Sequence, residues 1–221
     1  MRLTRTAAIC ATMLIFATRM EAAVITNGSF EDPVVPVASY TNFTTGSTAI
    51  TGWTVVGVDV SVVNTNFNIV GITFQAQAGN QWLDLSGETS NSPTNGVTQN
   101  VATSIGQAYQ LSFYVGSASD GGGSIYPATV DLSIDGGSRT TYFNPAAPTS
   151  SLDWLLFTVP FTATSTTTNI TFYDGSASNN FLSGLDNVSI TSVPEPASLT
   201  LLGIGASMVI GVVRRRRLVV D

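Results

Sequence analysis

Carboxylates are nearly all the reactive chemistry this sequence offers. Between residues 24 and 193 it holds eleven acids (Glu31, Asp32, Asp59, Asp84, Glu88, Asp120, Asp131, Asp135, Asp153, Asp174 and Asp186) against one cation, Arg139, with no Lys, His or Cys. Without His or Cys there is no Ser-His-Asp triad, no thiolate nucleophile and no zinc site of ordinary type. Without Lys there is no Schiff base. A carboxylate pair acting on a glycosidic bond is the catalytic arrangement left. The spacing does not favour it: Asp131 and Asp135 fall in a strand and its turn, and Asp84 and Glu88 bracket the turn-like "LSG". Solvated loop acids are the plainer reading. Eleven acids against one Arg leave a net charge of about −10 on this stretch, and almost no cations to displace phosphate counterions, which argues against nucleic acid. Disulfides are impossible there, so the fold must rest on its core or on a metal.

The elements that position these groups are strands. Val, Thr, Ser, Asn and Gly dominate, and period-two alternation recurs. "VDVSV" puts Val58, Val60 and Val62 on one face. "QWLDL" sets Leu83 and Leu85 against Trp82 and Asp84. "AYQLSFYV" aligns Tyr109, Leu111, Phe113 and Val115; "ATVDLSI" aligns Ala128, Val130, Leu132 and Ile134. "WLLFTVPF" aligns Leu155, Phe157, Val159 and Phe161, "NITFY" aligns Ile170 and Phe172, and "LDNVSIT" aligns Val188 and Ile190. Gly-, Asn- and Pro-rich turns separate them, and no window between 24 and 193 shows a helical period. The pattern predicts an all-β protein, an antiparallel β-sandwich with one solvated face per sheet.

The two ends read differently. "MRLTRTAAICATMLIFATRMEAAVI" has Arg2 and Arg5, an apolar run from Ala7 to Ala17, then Ala22 and Ala23. That is the order of a secretory signal peptide, residues 1–23, which signal peptidase would remove. The other end, "VPEPASLTLLGIGASMVIGVVRRRRLVVD", has Pro194, Glu195 and Pro196, then 17 uncharged residues from Ala197 to Val213. Arg214, Arg215, Arg216 and Arg217 follow, and residues 218–221 form a short tail. At about 1.5 Å per residue the uncharged run reaches roughly 25 Å, close to the ~30 Å hydrocarbon core. It predicts a single C-terminal transmembrane helix with the arginines inside and the sandwich outside.

"VPEPAS", a short span and an Arg cluster together resemble the PEP-CTERM sorting signal of Gram-negative bacteria. The resemblance implies an exosortase that recognises residues 194–217, cuts near the motif and passes the protein on, in bacteria that make exopolysaccharide and biofilm. The membrane is then only a temporary anchor.

"ITNGSFEDP" at 25–33, "GW" at 52–53 and "GLDNVSIT" at 184–191 resemble the galactose-binding-like jelly-roll domains of carbohydrate-binding kind, in particular the choice-of-anchor C group. In a jelly roll the first and last strands lie side by side, so Glu31 and Asp186 are expected to converge. Two carboxylates, an Asn oxygen and backbone carbonyls suit Ca²⁺, a hard cation wanting six to eight oxygens. The resemblance implies a structural calcium held by Glu31 and Asp186, with Asn27 and Asp32 beside them. Sugars stack on exposed rings. Trp53 and Trp154 read as core residues; Trp82, Tyr126, Tyr142 and Phe143 are the candidate ligand-binding residues, with Tyr173 a further ring that could line a cleft. The expected function is a non-enzymatic, exported envelope or matrix protein that binds or organises polysaccharide. A purely structural surface protein and a carboxylate-dependent glycoside hydrolase or lyase are the alternatives.

Overall fold

The alternating segments pair into two antiparallel sheets. The computed structural model describes residues 23–69, 71–90, 92–119, 125–126, 128–145, 151–175 and 182–194. The strands are β1 (Tyr40–Thr44), β2 (Thr54–Val56), β3 (Asp59–Asn64), β4 (Asn68–Ile69), β5 (Ile72–Thr73), β6 (Gln81–Asp84) and β7 (Gly96–Ala102). Then come β8 (Ala108–Ser119), β9 (Ile125–Tyr126), β10 (Ala128–Ile134), β11 (Thr140–Asn144), β12 (Asp153–Thr162), β13 (Thr167–Asp174) and β14 (Gly184–Ser192). One sheet runs β1-β3-β6-β14-β8-β12 with β9 on β8; the other runs β11-β10-β13-β7-β2; β4 and β5 form a separate hairpin. No helix occurs among the described residues. Residues 1–22 of the predicted signal peptide and the predicted transmembrane helix, with Glu195, Pro196 and Arg214 to Arg217, lie outside the described residues.

The sandwich closes over one core. Val60, Val62, Leu83, Leu85, Leu111, Phe113 and Val115 from the longer sheet meet Val97, Val101, Val130, Leu132, Ile170 and Phe172 from the other. Burial of each such side chain is worth about 1.5–3 kcal/mol, which is how a chain without disulfides holds together. Trp53 plugs this core between Phe30 and Phe172, with ring centroids at 5.5 and 6.3 Å. Two alternation readings fail at strand ends. Val58 precedes β3 and is exposed, and Leu155 is exposed on β12, whose outer edge is unpaired. Pro160 sits on that edge strand, where its missing N–H costs no ladder bond.

The longer sheet is also covered on its outer face. Val63 and Trp82 point away from the main core and pack with Ile72, Phe74, Leu152 and Leu182 into a second cluster. This explains why every residue of β3 and β6 is buried, polar ones included.

Candidate functional site

The acids set at opposite ends of the chain do converge, but not through paired strands. β1 lies at the far edge of the sheet from β14, and residues 23–39 form no strand. Instead a tight turn docks residues 27–31 on β14. Asn27 takes a left-handed φ of 52°, and its carbonyl accepts from the Phe30 N–H and the Trp53 indole N–H, both at 3.1 Å. Gly28 lies so close to β14 that a Cβ would stand 1.9 Å from the Val188 carbonyl oxygen, so no other residue fits. Its carbonyl accepts the Val188 N–H at 2.8 Å. "NGSFE" and "LDNV" are two halves of one joint.

From this joint Glu31 and Asp186 both reach the loop at 77–81. Glu31 Oε1 accepts from the Asn80 and Gln81 N–H groups, both at 2.8 Å. Asp186 Oδ2 accepts from Gln77 and Ala78 at 2.8 and 3.0 Å, and Oδ1 from Asn187 at 2.6 Å. Gly79 sits where a Cβ would strike Glu31 Oε1 at 2.3 Å. Asp186 is fully buried, and desolvation pushes its pKa up to about 7. The three N–H bonds pull it down, and the nearby charge of Glu31 raises it further.

For a hard cation the donor set is mixed. Glu31 and Asp186 are two converging acids, and Glu31 Oε2 accepts no hydrogen bond among the described residues. They fit in type and placement, with backbone carbonyls needed to complete six to eight oxygens. Asn27 and Asp32 are spent elsewhere. The Asn27 amide donates to the carbonyls of Asp32 and Thr51 and accepts the Asp32 N–H, while Asp32 Oδ2 accepts the Thr51 hydroxyl at 2.6 Å. Among the described residues no three His, Cys, Asp or Glu side chains cluster.

Other acids clasp loops in the same way, as a stretch with one Arg between residues 24 and 193 requires. Asp59 accepts from Asn42, Ser90, Asn95 and the N–H groups of Glu88 and Thr89, so residues 86–95 hang on one carboxylate. Desolvation pushes its pKa up, but hydrogen bonds led by the Thr89 and Asn42 side chains outweigh it and hold the group below its ordinary value. Asp84 Oδ1 accepts from the Ser86 N–H and hydroxyl and the Ser183 N–H. Burial nevertheless drives its pKa up to about 6, with Asp174 adding to the rise.

A cleft of about 290 Å³ opens on the outer face of β1, β3 and β6. Phe67, Ile69 and Phe74 from the hairpin arm form one wall; Val63, Trp82 and Leu182 form its apolar base; Tyr40, Ser61, Asp84 and Glu88 supply the polar side. Tyr40 is 36 % exposed, meets Phe67 edge-on at 5.4 Å, and donates its hydroxyl to Glu88 Oε1 at 2.9 Å. That bond to Glu88 raises the Tyr40 pKa, burial and the Glu88 charge adding to it.

The expected ligand-binding residues are not gathered into one place. Trp82 faces away from Leu83 and Leu85 as its alternation predicts, but it is 0 % exposed, stacked under Phe74 and edge-on to Trp154. It supports the cleft and offers no open platform. Trp154 is not in the main core; half-buried, it donates its indole N–H to the Gln75 carbonyl. Tyr142 packs between the sheets on Phe113 and Phe157. Phe143 is exposed at the edge of the other sheet. The Tyr126 backbone pairs with Ala118, and its side chain lies outside the description. Tyr173 carries Arg139 over its ring, 3.5 Å from the centroid. Sequence reasoning missed Tyr40, Ser61, Phe67 and, as a cleft residue, Glu88. The signal available was "YTNF", where Tyr40 and Asn42 alternate against buried Phe43.

A family model described as "Protein of unknown function (DUF642)" matches residues 23–191. The PEP-CTERM protein-sorting motif, the mark of an exported and membrane-processed protein, matches residues 192–217. Halomucin of Haloquadratum walsbyi is 33% identical over 178 residues, a match covering 78% of this chain and 2% of halomucin, so the chain spans only a small part of that relative. Among solved structures, the family 35 carbohydrate binding module from Clostridium thermocellum superposes with a TM-score of 0.40 at 16% identity, over 68% of this chain and 98% of that one. The CBM22-1 xylan-binding domain from Paenibacillus barcinonensis gives 0.41 at 20% identity, over 73% and 97%. An arabinose-bound α-L-arabinofuranosidase gives 0.48 at 14% identity, over 78% and 27%.

Proposed function

We propose, for a chain that belongs to the DUF642 family and ends in a PEP-CTERM sorting motif, that it is a non-catalytic glycan-binding protein of the cell envelope or extracellular matrix. Signal peptidase and an exosortase process its two ends, and the folded sandwich meets polysaccharide outside the inner membrane. The observation that carries the reading is the open cleft on β1, β3 and β6. It combines a half-exposed ring, apolar walls and acceptor oxygens, the mixture that holds a sugar by its apolar face and its hydroxyls. Glu31 and Asp186 would hold a structural calcium beside the 77–81 loop, neutralising a half-buried and a buried acid that have no cation near them among the described residues. Retention on a panel of insoluble polysaccharides tests the glycan reading. The protein is retained on at least one, and Tyr40→Ala with Phe67→Ala abolishes retention without unfolding it. No retention on any polysaccharide overturns the reading.

One observation favours a hydrolytic alternative: Asp84 and Glu88 line the same cleft, and Asp84 has a raised pKa, as a proton donor needs. Release of reducing ends from a bound glycan, lost in Asp84→Asn, would establish it.

A further inference from the structure

The polar side of the cleft carries acceptors and negative charge. All the hydrogen bonds Asp84 accepts among the described residues go to Oδ1, so Oδ2 of this almost fully buried side chain is left to the cleft it lines. Glu88 Oε1 holds the Tyr40 hydroxyl, and Oε2 takes no bond among the described residues. The Ser61 hydroxyl is turned to Asn42 Oδ1 at 3.2 Å. Among the described residues no cation answers these acids: Arg139 lies over Tyr173 and donates to the Pro93 carbonyl. Meanwhile Tyr40 and Phe67 line the cleft as an edge-to-face pair at 73°, aromatic surface of the kind that attracts a cation.

We propose that the cleft selects an amino sugar with a free ammonium group, seated between the carboxylates of Asp84 and Glu88 and the rings of Tyr40 and Phe67. This rests on the cleft being the glycan site and names its ligand class. The size agrees: about 290 Å³ stands at the small end of the ~300–1,000 Å³ range of ligand sites, room for one sugar unit. The charge agrees as well. Eleven acids against one Arg between residues 24 and 193 draw a polycationic glycan toward the domain and repel a polyuronate. A buried carboxylate with an open oxygen gains more from a cation than from a neutral hydroxyl.

Titration calorimetry with three probes tests this: glucosamine oligomers, the fully N-acetylated oligomers of the same length, and oligouronates. The expected result is binding of the glucosamine oligomer at least about fivefold tighter than its acetylated form, with no oligouronate binding. Glu88→Gln and Tyr40→Ala should each remove that preference, while Asp153→Asn, on the exposed edge strand, should leave it intact. Equal affinity for acetylated and free-amine oligomers overturns the inference and leaves the glycan reading standing. A preference that survives both cleft variants is diffuse surface attraction and also overturns it. Binding of no oligosaccharide of any kind sinks the glycan reading itself.

Discussion

Replacing Asp186 by Asn isolates the charge buried in the joint between the two ends of the domain. The folded pKa of about 7 against the ordinary 3.8 is a gap of about 3 pH units, worth about 4 kcal/mol at about 1.4 kcal/mol per unit. Because the folded value is the higher one, the native state binds the proton more tightly than the unfolded chain. The stability this confers is complete below about pH 4, drains away as pH rises to about 7, and is gone above it. Asn cannot titrate, so the variant lacks this drain. It also cannot accept at both positions; with its oxygen toward Gln77 and Ala78, its NH₂ faces the Asn187 N–H, a pH-independent cost of about 1 kcal/mol. In chelator, the variant should therefore be less stable than the wild type by about 1 kcal/mol at pH 4 and more stable by about 3 kcal/mol at pH 8. Urea melts across that range measure the crossing. Asp84, raised to about 6, adds a drain of the same sign to both proteins and cancels in the comparison. A wild-type-to-variant difference that stays constant from pH 4 to pH 8 would refute the reasoning.

Calcium added at pH 8 should raise the melting temperature of the wild type by several degrees, more than that of Asp186→Asn; differential scanning fluorimetry with calcium and with chelator decides it. Gly28→Ala, forcing a Cβ to within 1.9 Å of the Val188 oxygen, should cost at least about 2 kcal/mol in a urea melt, and a cost near zero would mean the joint is looser than described. Trp82→Ala should cost about 3–5 kcal/mol and open the base of the cleft, lowering both stability and glycan retention. The intact mass of the protein recovered outside the cell should lack the first 22 or 23 residues and the residues beyond the Pro194–Pro196 motif.

Much of the sandwich was legible because a strand with one buried face writes that face into every second residue. Tyr109, Leu111, Phe113 and Val115 are all fully buried, as their spacing says. The covering of Trp82 was not legible. Alternation gives the side of a sheet, but what lies over it comes from Phe74 in the preceding loop and from Leu152 and Leu182, distant in sequence. For the same reason the pairing of each acid with its loop was hidden. Glu31 acts on residues 80 and 81, and Asp59 on 88 and 89, so neither makes a local motif. The convergence of Glu31 and Asp186 was anticipated for the wrong cause: a docked turn, not a first strand, carries Glu31 there. The cleft escaped because Tyr40 shows only in the four-residue alternation of an edge strand, and Phe67 sits in a loop, where no periodicity marks it.

Amide chemical-shift mapping with a glycan that the protein retains tests the glycan-binding cleft most directly. The account predicts that perturbed signals cluster at Tyr40, Ser61, Phe67, Asp84 and Glu88. Shifts gathered instead around Thr98, Thr171 and Tyr173 on the opposite sheet, with the cleft unmoved, would contradict it.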